Sequence, residues 1–210
     1  GYWVANHGAD GSNPGEINSN FAVAFFPYAQ GWGVRSGISA GDTGANSVTF
    51  QKEGYSTDDG LLFAIPLAND DNFTSVAAKA DKSGWDVESR DNSGPLEGGN
   101  DMFNALYLPY NTPNLIASSA TDTDAGFAVG DGKAGSFTLT KESDGVYRLS
   151  VPGVDLSKGT LLLTANHGAV TGGGTSNDNL LTYQVDGSDI VIQGYHANAA
   201  MATLEATNFS

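Results

Sequence analysis

Short runs of aspartate and asparagine are the residues of this chain best suited to chemistry. Asn69-Asp70-Asp71-Asn72, Asp122-Thr123-Asp124 and Asn177-Asp178-Asn179 each place oxygen donors at close spacing. Turns of this kind suit calcium, whose flexible shell takes about six to eight oxygen ligands. Asp70, Asp71, Asp122, Asp124 and Asp178 are therefore the candidate metal ligands, and Ca2+ is the cofactor the pattern admits. None of the three runs completes an EF-hand loop, and Asx-rich turns also form without metal.

Other chemistry finds weaker support. His7 and His167 sit in a shared Ala-Asn-His-Gly tetrapeptide, and His196 stands apart. Asn and Gly both tolerate positive φ, so a turn explains Asn-His-Gly better than a ligand pair does. There is no His-Glu-x-x-His and no cysteine to build a zinc site. Gly37-Ile38-Ser39-Ala40-Gly41 fits the Gly-x-Ser-x-Gly elbow formally. The alternating strand and helix pattern that would set such an elbow on an α/β sheet is missing, so the match at Ser39 is discounted. The acidic residues include no close Glu-x-Asp-x-Glu strand motif of the kind that sets two carboxylates on one face for glycosidase work. Trp3, Trp32 and Trp85 could stack on sugars, but Gly-Trp-x-Val at Trp32 and Trp85 suits a strand start and core packing better. No catalytic residue is expected.

The elements that position these residues read as strands. Apolar and polar residues alternate over short runs bounded by Gly, Asn, Asp and Ser. Val146 to Val151 alternates and stops at Pro152-Gly153, and Val48 and Phe50 alternate with Thr49 and Gln51. Leu181 to Val185 alternates and predicts a hairpin through Asp186-Gly187 into Ile190-Val191-Ile192. With 28 glycines the chain has many turns and hence many short strands. The only Ala-rich stretches, 74–81 and 197–206, read as loops or strands as readily as helices. The expected class is all-β, a sandwich or jelly-roll-like fold. Phe25, Phe26, Trp85, Tyr107, Leu108 and Ile190 are the expected core positions, with Pro27 and Pro109 ending their strands.

Landmarks recur along the chain, and internal periodicity bears on architecture before local structure does. Phe21–Tyr28 matches Phe103–Tyr110, Ser47–Glu53 matches Ser136–Glu142, and Gly60–Phe63 matches Gly159–Leu163. Gly84–Glu88 occupies the place later held by Ser188–Ile192. These matches divide the chain into a partial N-terminal unit at 1–20, a β unit at 21–101 and a second β unit at 102–210. Asn208-Phe209-Ser210 then reads as the start of a third copy of the Phe21 strand, so the second unit is expected to lack its last strand. Such a gap exposes a sheet edge that a neighbouring subunit can fill. Tyr2, Trp3, Val4 and Phe209 are the expected assembly residues.

Charge and length limit the partners. Nine basic residues against 24 acidic give a net charge of −15, and no Lys or Arg follows Lys158. Nucleic acid and anionic membrane surfaces are poor partners for such a chain. No apolar run approaches the roughly 20 residues that span a bilayer. There is no charged-then-apolar leader, so a secreted form would carry numbering that starts after processing. The absence of cysteine removes any disulfide framework.

The stretch Gly145–Tyr195 carries Val146–Val154, Leu161-Leu162-Leu163, Asn177-Asp178-Asn179 and Asp186-Gly187. It resembles repeats of large secreted surface proteins of environmental bacteria, which lack an assigned enzymatic activity. The resemblance implies an extracellular repeat module. The function expected is that of a secreted structural protein in an extracellular filament, sheath or surface layer, partnered by copies of itself or by other surface proteins. The alternative is a calcium-dependent carbohydrate-binding or carbohydrate-processing β-sandwich with a polysaccharide partner.

Overall fold

The computed structural model describes residues 24–27, 32–42, 44–50, 55–67, 72–91, 96, 101–117, 119–121, 124–128, 137–166, 179–196 and 203–209. Over these residues the protein is all-β and sandwich-like. β1 (Gly33–Ser39), β6 (Met102–Pro109) and β3 (Gly60–Pro66) form one antiparallel sheet in that order. β2 (Ala45–Val48), β5 (Trp85–Arg90) and β4 (Phe73–Ala78) form a second. β11 (Asn179–Asp186), β12 (Asp189–His196), β10 (Val146–Ser150) and β9 (Thr138–Ser143) form the third, and β7 (Ser119–Thr121) pairs with β8 (Asp124–Ala128). The single helical turn among the described residues is a 3-10 turn at Leu156–Lys158. Of the two Ala-rich stretches, the first is strand β4, because Val76 buries against the core while the short alanines lie flat beside β5.

The first two sheets pack face to face. Leu62, Ala64, Phe103, Ala105 and Tyr107 meet Val48, Val76, Trp85 and Val87 across this core. Ile38 joins them through a bulge. The β1–β6 register slips between Arg35 and Ile38, and Gly37 takes φ +66 there. The extra residue turns Ile38 onto the face that strict alternation would have denied it.

The β1-β6-β3 sheet is buried on its other face too. Leu61, Phe63, Leu106 and Leu108 pack beneath Phe26, Trp32, Leu115 and Leu162. Two-sided burial explains why Leu61 to Ala64 and Ala105 to Leu108 run apolar without alternation. The fit is close at Gly60, where an added Cβ would lie 2.5 Å from the Leu108 carbonyl oxygen and 2.6 Å from the Tyr107 ring. Gly60→Ala is accordingly expected to destabilise by about 1–3 kcal/mol, measured as a lower urea midpoint.

The third sheet buries Leu139, Tyr147, Ile190 and Ile192 together with Phe209. The extended segment Leu161–Asn166 runs between the two halves of the structure. Leu162 packs toward the first half, while Leu161 and Leu163 pack toward the third sheet. Ala165 then bridges Ser75 on one side and Phe209 on the other.

Two expectations change here. Phe25 was expected in the core but is 65% exposed, and residues 24–27 form no strand although their match, 106–109, lies in β6. The neighbouring Phe26 takes the apolar contact instead, edge-on to Trp32 at 5.4 Å. Phe209 was expected as an unfilled strand start available for assembly. It is 4% exposed, with its ring 5.0 Å from that of Tyr147. The Tyr147 hydroxyl donates to the Thr207 carbonyl and accepts from the Thr207 amide, which ties the C-terminal segment onto its own sheet.

Candidate functional site

An antiparallel sheet has two edges, and the chemistry of each edge decides whether another strand can join it. Edge strands are normally blunted by bulges, charges, proline, short length or a covering segment. Five edges here are blunted. β1 carries its bulge and Arg35, and β2 has 4 residues. β3 ends in Pro66, and its Ala64 carbonyl accepts from the Thr74 hydroxyl. β4 gives the Val76 amide to the Ala165 carbonyl. β9 is bulged against β10 and carries Lys141 and Glu142.

Among the described residues, β11 shows no bulge, no proline and no covering segment. It pairs with β12 over all 8 of its residues without a register shift. Between Asn179 and Asp186 it reads Leu-Leu-Thr-Tyr-Gln-Val, with no charge and no proline. Its terminal charge, Asp186, is held by Arg148 at 3.0 Å. The hydrogen bonds that Arg148 donates to Glu142 and Asp186 in turn raise the pKa of its guanidinium above the usual value.

The direction of its backbone groups follows from β12. Gly194 and His196 donate their amides to Gly145 and Thr203, away from β11. Their β11 partners, Leu181 and Asn179, are therefore non-hydrogen-bonded pairs, and alternation places Tyr183 and Val185 in the same phase. The N–H and C=O groups of Leu181, Tyr183 and Val185 thus point to the open edge, and no described residue pairs with them. Tyr183 and Val185 lie on the inner face of the sheet, opposite Ile192 and Ile190, yet remain 37% and 56% exposed. Asn179 anchors the start of the strand by donating to the Thr207 hydroxyl at 2.6 Å. The hairpin loop is Gly187-Ser188 rather than Asp186-Gly187, since Asp186 pairs with Asp189 and Gly187 takes φ +64 as the first loop residue.

A cavity of about 260 Å³ lies between the outer face of the first sheet and the third sheet. Phe26, Trp32, Leu108, Leu115, Leu161 and Phe209 are among its lining residues. Its walls suit apolar groups.

The residues singled out from the sequence fall as follows. Asp70, Asp71, Asp122 and Asp178 lie outside the described residues, as do Tyr2, Trp3, Val4, His7 and His167. Asp124 begins β8, opposite Thr121. No group of three or more His, Asp or Glu able to hold a metal occurs among the described residues. His196 pairs with Glu205 at 2.9 Å, and Ser39 accepts from the Gly41 amide, which braces the turn after β1. Trp85 is 3% exposed, a core residue rather than a stacking platform. Leu181, Tyr183 and Val185 were legible as a strand but not as a site. The one available signal was the lack of any Lys or Arg after Lys158, which leaves β11 without a blunting cation. Compared with protein-family models, curated proteins and solved structures, the chain finds no match, so its function is argued from this geometry.

Proposed function

We propose that the chain is a structural module of an extracellular assembly and joins its neighbours by strand addition at β11. One observation carries this reading: β11 is a long, bulge-free edge without charge or proline between Asn179 and Asp186, whereas the edges β1, β2, β3, β4 and β9 are blunted. Main-chain hydrogen bonds from an added strand supply affinity, and the exposed Tyr183 and Val185 supply apolar contact on one face. The acidic surface keeps separate copies apart until that contact forms.

Tyr183→Pro tests the reading. The Tyr183 amide faces the edge, so proline removes a donor from the joining surface and no ladder bond to β12. In sedimentation velocity and negative-stain imaging, the wild type is expected to form species larger than the monomer. The variant is expected to stay monomeric at an unchanged melting temperature. Thr182→Pro, which removes a bond to β12, is the contrasting control and is expected to lower the melting temperature. A wild type that stays monomeric at all salt concentrations, or a Tyr183→Pro variant that assembles equally well, overturns the proposal.

A further inference from the structure

We infer that the strand added at β11 is β11 of a second copy, docked antiparallel about a twofold axis at Tyr183. This rests on the strand-addition reading above and names its partner. Antiparallel pairing about an axis normal to the sheet keeps both inner faces on the same side. The two sheets, each ordered β11-β12-β10-β9, then become one continuous sheet.

The register follows from which residues face the edge. Leu181, Tyr183 and Val185 carry the outward backbone groups, so they must form the hydrogen-bonded pairs of the new ladder. With the axis at Tyr183, the ring meets its own copy, and Leu181 lies opposite Val185 of the second copy on both sides of it. Cross-strand aromatic and aliphatic pairs of this sort favour sheet pairing. Asp186 then lies opposite Leu180, so no like charges face each other. An axis at Thr182 would set the exposed Val185 against the polar Asn179. An axis at Gln184 would leave Leu180 and Leu181 without partners. Apolar matching selects Tyr183.

A twofold contact uses the same patch on both copies and closes on itself. It yields a paired building block, and growth beyond it proceeds through a different contact. One edge strand makes a small interface, so the pair is expected to form at high protein concentration. Each copy carries a net charge of −15, so screening by added salt is expected to strengthen the pair.

The chain lacks cysteine, which permits a clean cross-linking experiment. In the inferred register Thr182 of one copy lies opposite Gln184 of the other, as a non-hydrogen-bonded pair with close Cβ atoms. Full-length Thr182→Cys and Gln184→Cys chains are mixed under mild oxidation, and each is also oxidised alone. The expected result is a disulfide-linked heterodimer in the mixture, at several-fold higher yield than either chain gives with itself, and rising with salt. Self-linking of Thr182→Cys alone or Gln184→Cys alone places the axis elsewhere and overturns the inference. If nothing cross-links while Tyr183→Pro still abolishes assembly, another segment fills the edge; self-pairing is then wrong and strand addition stands. If nothing cross-links and Tyr183→Pro has no effect, both readings fall.

Discussion

The Phe209→Ala variant is expected to lose about 3–5 kcal/mol of stability, the usual cost of removing a buried aromatic side chain. Urea denaturation followed by tyrosine fluorescence measures it. Phe209 is 4% exposed and fills the inner face of the third sheet with Leu139, Tyr147, Ile190 and Ile192. Its loss leaves the Tyr147 ring without its edge-on partner and weakens the bridge from Phe209 to Ala165. The same experiment separates two views of the C-terminal segment. A residue waiting for a partner subunit could be truncated in the monomer at little cost, whereas a core residue could not. A loss below about 1 kcal/mol, the range of surface substitutions, would contradict its place in the core.

Tyr107→Ala is expected to cost a similar amount, about 3–5 kcal/mol, through the first core. Its ring lies 4.5 Å from that of Tyr55, 5.4 Å from Trp85 and 5.7 Å from Phe50. Tyr107→Phe keeps those contacts and removes only the hydroxyl, which donates to the Ser56 carbonyl at 3.2 Å. That milder variant isolates a pH effect. Burial, reinforced by the nearby Asp59 carboxylate, raises the Tyr107 pKa well above the ordinary tyrosine value. Below about pH 10 the residue is protonated in both folded and unfolded chains, and its contribution is fully present. Above that pH the unfolded chain releases the proton while the folded chain keeps it, so stability falls as pH rises toward the folded pKa. The slope from one such group is at most about 1.4 kcal/mol per pH unit. Tyr110 is also pushed up, to about 12, by burial and by Asp58, and adds to the same alkaline loss. Urea midpoints between pH 9 and 11 should fall less steeply for Tyr107→Phe than for the wild type; equal slopes would show that Tyr107 titrates normally.

Much of the fold was legible before any tertiary contact was known. Alternation at Val146 to Val151 and Leu181 to Val185, with Gly, Asn and Asp between runs, identified strands because side-chain direction in a strand has period two. Trp85, Tyr107, Leu108 and Ile190 were expected in the core and are buried, since large apolar side chains in strand runs repay burial most. Pro109 was expected to end its strand and does so.

What the chain could not reveal by itself concerns neighbours rather than direction. Phe25 and Phe209 both looked like members of one repeated strand, yet the first is exposed and the second buried, because burial depends on which distant surface arrives to cover a residue. Ile38 reached the core only through a bulge that breaks the period on which the reading relied. The candidate site is the clearest case. Periodicity showed that Leu181, Tyr183 and Val185 share a face, but whether their backbone groups meet another strand or open space is a property of the sheet. That property is decided by residues far away in sequence: Gly145 and Thr203 draw the hydrogen bonds of β12 to one side, and Ala165 covers β4 while nothing described covers β11. Local pattern encodes which way a side chain points. Only the assembled sheet determines which backbone groups are left to recruit a partner.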